Sequence, residues 1–418
     1  MCTPHFISWL VFNSLNICHI PQTGAEIIFC IKLQVEIFKK TAMKTFIKVM
    51  FLLFVMAFAT PNYLSANNLN EPNRARMDSL LPVRGFCIAL PTPDRVDEFI
   101  RFIDTELAPR GVNTLVLRVE CKYNWKSRPE LIDTLALTKR EVKKILKMCR
   151  KHDIKMIPLI DLLGHQSGRN GLGKLLKVYP QFEETPMEFG NDPARLPMNG
   201  FNMRSYCPNH PDVHKVVFDV VDEICKVFES DIFHAGMDEV FDIGNDKCPR
   251  CAGKDKAELF AGEVWIIRNH LASKGRKMWM WGDRLLDGRT IGLGRWEGSY
   301  NNTHRAIDMI PKDVTICDWH YERADLTAAL FAMKGLDVMT CPFRNPHTAV
   351  MQAEDMVRFR QNSAKVMKER FRGVLHTVWS STGVFLDGFY GRTPVDQNTG
   401  DRTPWEAFRR MYDRIAEF

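Results

Sequence analysis

The feature that most constrains this chain is a repeated alternation that begins at Arg84. Short runs rich in Val, Ile, Met and Phe are each followed by amphipathic helical sequence, the pattern of strands joined by crossover helices onto a parallel sheet. The runs are Arg84 to Pro91, Val112 to Glu120, Ile154 to His165, Ile232 to Val240, Lys277 to Asp283, Val314 to Tyr321, Asp337 to Phe343 and Gly373 to Ser380. Eight such runs predict an α/β fold of the (β/α)8 TIM barrel type. A doubly wound open sheet is the structural alternative.

Local signals agree with the repeat. Thr138 and Glu141 stand at capping-box spacing, and Asn345 followed by Pro346 reads as a cap with proline at the first helical position. Further helices are expected from about Asp94 to Leu107, Asp212 to Phe228, Ala257 to Lys274 and Trp405 to Ile415. No Gly/Ser-rich linker divides the repeat, so residues 81–418 are expected to form one domain.

Met43 to Ala66 carries two lysines, an apolar stretch from Val49 to Ala59 and a tail ending in small residues, the build of a secretory signal peptide. The expected organisation is a leader at 1–42, upstream of a translation start at Met43, then a signal at 43–66 and a linker at 67–80. An exported protein, periplasmic or secreted, is implied, without a stable membrane span after cleavage. Net charge is +7, spread without Lys/Arg runs or interleaved aromatics, so no nucleic-acid partner is expected. Oligomeric state is left open.

Nine of the 12 cysteines follow Met43, too sparse for a disulfide scaffold. Cys87, Cys317 and Cys341 fall in predicted strands, and Cys149 and Cys225 in predicted helices, where a free cysteine behaves as a small buried hydrophobe. Cys207 with His210, and Cys248 with Cys251, are pairs in loops after the third and fourth strands. They suit either a closed Cys3His zinc site or disulfides.

In a barrel of this type, active sites sit at the C-terminal strand ends. Those positions hold Glu120, Asp161, His165, Asp238, Glu239, Trp281, Asp283, Trp319, Tyr321 and Trp379. Carboxylates beside aromatics suggest a carbohydrate, since rings stack on the apolar faces of sugars and carboxylates do glycosidic acid/base work. The strongest local signal is Phe233 to Val240, FHAGMDEV. Period-two alternation puts His234, Gly236 and Asp238 on one side of the strand, with Glu239 following where it curls into a loop.

These residues resemble glycoside hydrolase family 20, the β-N-acetylhexosaminidases, whose fourth strand carries His-x-Gly-Gly-Asp-Glu; Met237 replaces the second glycine. The resemblance implies retaining hydrolysis through the substrate's own 2-acetamido group, with no cofactor and a glycan or oligosaccharide as partner. It implies that Asp238 orients the acetamido nitrogen and that Glu239 is the general acid, then the base. Ile157 to His165 resembles the third-strand Asp-x-x-Gly-His pattern, with Asp161 and His165 on one strand face and the histidine directed towards the general acid. Arg118 to Trp125 resembles the second-strand segment, where Glu120 stands in for a lost carboxylate. Trp281, Trp319 and Trp379, with Tyr321 beside them, are the implied walls around the acetamido methyl and the sugar face.

Several family positions differ. Thr92 stands where an arginine binds ring hydroxyls, Ser381 replaces the glutamate of Trp-x-Glu, and Cys341, Pro342 and Phe343 replace a tyrosine and an aspartate. Tyr321, Asp283, Asp318, Arg95 and His320 are candidates to rebuild those contacts. The alternatives carried forward are a carbohydrate-binding barrel without turnover, a glycosidase for a different sugar, and a metal-dependent deacetylase using Asp161, His165 and His234.

Overall fold

A computed structural model of the chain describes residues 71–168, 171–185, 204–393 and 400–418. The segments read as leader and signal lie outside the described residues. Eight parallel strands close into a barrel in sequence order: β1 (Val83–Ala89), β2 (Thr114–Arg118), β3 (Lys155–Leu162), β4 (Ile232–Gly236), β5 (Lys277–Trp281), β6 (Thr315–Trp319), β7 (Asp337–Cys341) and β8 (Phe371–Thr377). The open-sheet alternative is thereby excluded.

Strand pleating divides the apolar residues into two cores. Outward side chains such as Phe86, Leu115, Met278, Ile316 and Val374 pack against the helices. Inward ones, including Cys87, Val116, Ile157, Trp279, Cys317, Met339 and Leu375, fill the barrel. The close approach of strands needs small residues at the seam: a Cβ on Gly85 would lie 3.3 Å from the Leu375 Cα across the β1–β8 pair.

The helices form for the reasons legible in their sequences. Lys139–Lys151 begins with the Thr138–Glu141 capping box and buries Val142, Ile145, Leu146 and Cys149, a stripe at i, i+3, i+4 and i+7. Asn345 caps Pro346–Asn362 by accepting from His347 N–H at 3.2 Å and Thr348 N–H at 3.4 Å. Val213–Phe228, Lys256–Ser273 and Pro404–Ala416 match the other expected helices. The stretch from Asp94 to Leu107 is less regular: an α-helical Val96–Phe102 widens to a π-turn over Ile103–Leu107, closed by the Ala108 N–H to Ile103 O bond at 3.0 Å.

Two departures bear on organisation. The segment read as a linker carries a helix, Glu71–Leu80, tied to the barrel by Asp78 accepting from Arg84 at 2.8 Å and by Ser79 O accepting from Arg360 at 2.9 Å. Its few apolar residues gave no periodic signal. Between β5 and β6 the crossover has only short turns, Asp283–Leu285, Gly288–Ile291 and Thr303–Asp308, in place of a full helix. Among the described residues, no helix is long and apolar enough to cross a membrane.

Candidate active site

The strands end earlier than the apolar runs suggest, and this shapes the site. Strand β4 stops at Gly236, and Gly236, Met237 and Glu239 all take positive φ, at 66°, 70° and 49°. Asp238 is therefore set by a sharply coiled turn and not by strand alternation. Gly236 is required here, because a Cβ would lie 2.7 Å from the Asp161 Cα on β3. Past β3 the chain also turns tightly, with Leu163 at φ 64° and His165 at φ 57°. His165 thus lies in the turn and not on the strand face that was expected.

The turns bring three carboxylates to one imidazole. His165 Nε2 lies 3.1 Å from Asp238 Oδ2 and 3.0 Å from Glu239 Oε2, while Nδ1 lies 3.9 Å from Asp161 Oδ2. Burial alone would push the His165 pKa down; the carboxylates, Asp238 foremost, outweigh it and hold the pKa well above its ordinary value. Burial, aided by the Asp238 charge, pushes the Asp161 carboxyl up to about 7. Asp161 Oδ1 and Asp238 Oδ1 are buried acceptors without a hydrogen-bond partner among the described residues.

Asp283 anchors the turn from below. Its Oδ2 accepts the Glu239 N–H at 2.9 Å and Arg284 Nε at 2.6 Å, and its Oδ1 accepts Trp319 Nε1 at 3.2 Å. Arg284 is itself held by the carbonyls of Arg295, Trp296 and Gly298 at 2.9, 3.0 and 2.9 Å. Burial pushes the Asp283 carboxyl up to about 6 against the opposing pull of Arg284.

Above the carboxylates opens a cavity of about 680 Å³ at the C-terminal barrel face. It is lined by Arg118, Glu120, Trp125, Asp161, His165, Asp238, Glu239, Trp319, Tyr321 and Trp379 among others. Tyr321 stacks on Trp319 with ring centroids 4.9 Å apart and accepts from Trp379 Nε1 at 2.6 Å. Arg118 lies over the Trp379 ring at 5.0 Å and donates to the carbonyls of Val378 and Trp379 at 3.2 and 3.3 Å. Acidic groups between aromatic walls fit a sugar, whose hydroxyls need acceptors and whose ring faces are apolar. A second cavity of about 700 Å³ at the opposite barrel end is lined by strand starts such as Thr114, Lys155, Lys277 and Asp337, the end that serves stability in this fold.

The model of the glycosyl hydrolase family 20 catalytic domain matches residues 117–380, which include every residue of the carboxylate turn. The chain belongs to that family. Curated relatives include a β-hexosaminidase from Akkermansia muciniphila, 32% identical over 151 residues, covering 34% of this chain and 29% of the relative. A β-hexosaminidase from Porphyromonas gingivalis is 27% identical over 158 residues, covering 36% of this chain and 19% of the relative. The matched region thus spans less than a third of either relative. Among solved structures, a Flavobacterium johnsoniae chitobiase superimposes with a TM-score of 0.54 at 17% identity, covering 81% of this chain and 51% of that one. At that identity the likeness shows the barrel fold alone.

Within this family 20 barrel, the residues singled out from sequence are nearly all brought together. Asp161, His165, Asp238, Glu239, Glu120, Trp319, Tyr321 and Trp379 share the cavity. Glu120, at φ 47°, sits at the rim paired with Arg118 at 3.3 Å. Asp283 lies below the cavity, and Trp281 does not line it either: fully buried, it lies beneath the wall, 4.3 Å from His234 and 5.6 Å from Trp379 between ring centroids. It supports the wall without lining the cavity.

Of the candidates to rebuild lost hydroxyl contacts, Arg95 is engaged by Glu98 and Asp387 at 2.7 and 2.9 Å. Asp318 and His320 are buried together, with Thr327 bonded to both and Glu297 2.7 Å from His320. Asp283 is spent on the anchor, which leaves Tyr321. Arg118, which the sequence offers only as the start of the segment Arg118 to Trp125, also lines the cavity. The anchoring role of Asp283 was not foreseen from sequence, although the adjacent Asp283–Arg284 pair after a strand end was a signal.

The donors of Asp161, His165 and Asp238 lie close enough to one another for a cation. The same His165 ring faces Asp238 at 3.1 Å and Asp161 at 3.9 Å. His234 lies outside this group; its Nδ1 accepts the Gly236 N–H at 3.1 Å. The deacetylase constellation of Asp161, His165 and His234 is therefore not assembled.

Proposed function

We propose that this chain is an exported glycoside hydrolase that removes terminal β-linked N-acetylhexosamine by substrate-assisted retaining hydrolysis. The observation that carries the reading is His165 Nε2 held 3.1 and 3.0 Å from Asp238 and Glu239 at the floor of an aromatic-walled cavity. Adjacent carboxylates on one side of the site suit a reaction in which the nucleophile belongs to the substrate.

In this mechanism Glu239 gives its proton to the glycosidic oxygen as that bond to C1 breaks, and the acetamido carbonyl oxygen bonds to C1. The ring so formed carries positive charge, and the unmet acceptor of Asp238 takes the acetamido N–H while its negative charge offsets the developing cation. Glu239, now ionised, removes a proton from water, which attacks C1, reopens the acetamide and releases the sugar with its original configuration. Trp319, Tyr321 and Trp379 enclose the acetamido methyl and sugar face. The similarity to β-hexosaminidases supports the substrate class.

A second reading keeps hydrolysis and changes the sugar. It is favoured by the engagement of Arg95, Asp318 and His320 elsewhere, which leaves few polar groups to read ring hydroxyls. A binding barrel without turnover fits the same losses, but retention of both Asp238 and Glu239 counts against it. Aryl β-glycosides of N-acetylglucosamine, N-acetylgalactosamine and glucose separate these readings, run with and without a thiazoline inhibitor. Turnover confined to acetamido sugars and blocked by thiazoline is expected. Turnover of the plain glucoside alone, or none by a folded chain, would overturn the proposal. Export rests on the composition of Met43 to Ala66 and is checked by the native N-terminus, expected near Asn67: peptides from Met1 to Ala42 would refute the start at Met43, and a mature chain that keeps Met43 to Ala66 would refute the cleaved signal.

A further inference from the structure

Three cysteines that the glycosidase reading does not use converge where the loops after β3 and β4 meet. Cys207 precedes the helix Val213–Phe228, and Cys248 and Cys251 lie in the loop that follows Glu239. Cys207 Sγ lies 3.6 Å from Cys248 Sγ and 3.5 Å from Cys251 Sγ. Glu184 supplies a fourth donor, its Oε2 3.3 Å from Cys248 Sγ, and all four donor atoms lie within 4.8 Å of one another in buried residues. His210, the fourth ligand expected from spacing, is elsewhere: its Nδ1 accepts the Asp212 N–H at 3.2 Å and its ring packs on Phe182.

The spacing is that of a tetrahedron around a small ion. With metal–sulfur bonds near 2.3 Å and a metal–oxygen bond near 2.0 Å, a tetrahedral centre separates two sulfurs by about 3.8 Å and sulfur from oxygen by about 3.5 Å. A disulfide joins its sulfurs at about 2.05 Å and uses two of them. It would leave one thiol over and a fully buried Glu184 carboxylate with no countercharge among the described residues. The outer contacts also suit a metal. The Asn245 N–H bonds Glu184 Oε1 at 3.2 Å, leaving Oε2 towards the sulfurs, and Asn209 Nδ2 donates to Cys251 Sγ at 3.4 Å.

We infer that Glu184, Cys207, Cys248 and Cys251 bind one zinc ion as a closed structural site. On binding, the three thiols release their protons, and the thiolates and carboxylate fill all four positions, so the ion activates no water. The site clamps the loop after β3 to the loop that leaves Glu239, a junction also braced by Thr185 Oγ1 donating to Asp242 Oδ2 at 2.9 Å. The inference stands apart from the choice of sugar.

The test is elemental analysis of the full chain, isolated without chelator from the cell that makes it and dialysed. About one zinc per chain is expected, retained by His210→Ala and lost from Cys207→Ser and Cys251→Ser. Exchange into cobalt should give thiolate charge-transfer bands and the d–d bands of a tetrahedral centre, a readout that needs no variant to fold. Less than about a tenth of an equivalent in the folded wild-type chain would overturn the inference. So would zinc retained by Cys251→Ser, or a disulfide mapped between any two of the three cysteines.

Discussion

The Glu239 main-chain N–H donates to Asp283 Oδ2 at 2.9 Å, and the same oxygen takes Arg284 Nε at 2.6 Å. One buried carboxylate thus ties the left-handed turn at Glu239 to a buried guanidinium. Asp283→Ala strips Arg284 of its countercharge, a loss of about 3–5 kcal/mol by the usual cost of breaking a buried pair. Asp283→Asn keeps the side-chain shape and one acceptor oxygen, but it loses the charge facing Arg284 and turns an amide NH2 towards donors that the carboxylate served. Its kcat should therefore fall about 100-fold through misplacement of Glu239, with KM little changed. Steady-state kinetics and urea denaturation check both; a wild-type kcat in Asp283→Asn would show that the anchor does not position Glu239.

Glu239→Gln removes the proton donor and keeps the side-chain shape. Substrates with poor leaving groups should lose about 10²–10⁴-fold in kcat, the range general acids supply, with a smaller loss for activated aryl glycosides. Asp238→Asn should slow both kinds, because its charge serves the acetamido group and not the leaving group. Equal rates for Glu239→Gln and wild type on both substrates would reassign the acid.

Asp161 makes a signed prediction about pH. Burial first, and the Asp238 charge second, raise its carboxyl from 3.8 to about 7 in the fold. A group raised in the fold stabilises it fully below its unfolded pKa, and that contribution is lost as pH rises through the folded pKa. Wild type should therefore lose stability between about pH 4 and pH 7 through this group, whereas Asp161→Asn, which cannot ionise, should not. The Tm difference between wild type and Asp161→Asn is expected to move in the variant's favour across that range. A constant difference would mean that Asp161 titrates normally.

Much of this was legible in the sequence because strands and helices obey short-range rules. The capping box at Thr138 and the cap at Asn345 are local chemistry, and eight apolar runs fix a barrel because each must pair and be covered. Less legible was whatever depends on how the chain leaves a strand. Asp238, Glu239 and His165 reach the site through left-handed turns that period-two reasoning cannot foresee. The replacement of His210 by Glu184 beside the cysteines, and the burial of Trp281 beneath the wall, depend on loops folding back on one another. Sequence spacing carries no record of such contacts.

Met237 tests the cost of that turn. It holds φ at 70°, where a side chain costs roughly 1–2 kcal/mol, and glycine would relieve this. Yet Met237 is fully buried, and removing such a side chain costs about 2–5 kcal/mol, to which glycine adds about 0.5–1 kcal/mol of chain entropy. The packing loss outweighs the relief, so Met237→Gly should be destabilised by about 0.5–5 kcal/mol in urea denaturation. Because glycine accepts the same φ, the turn keeps its course and kcat on an activated substrate should stay within about threefold of wild type. A variant more stable than wild type would mean that the methionine contributes little to the core and that backbone strain dominates at this position.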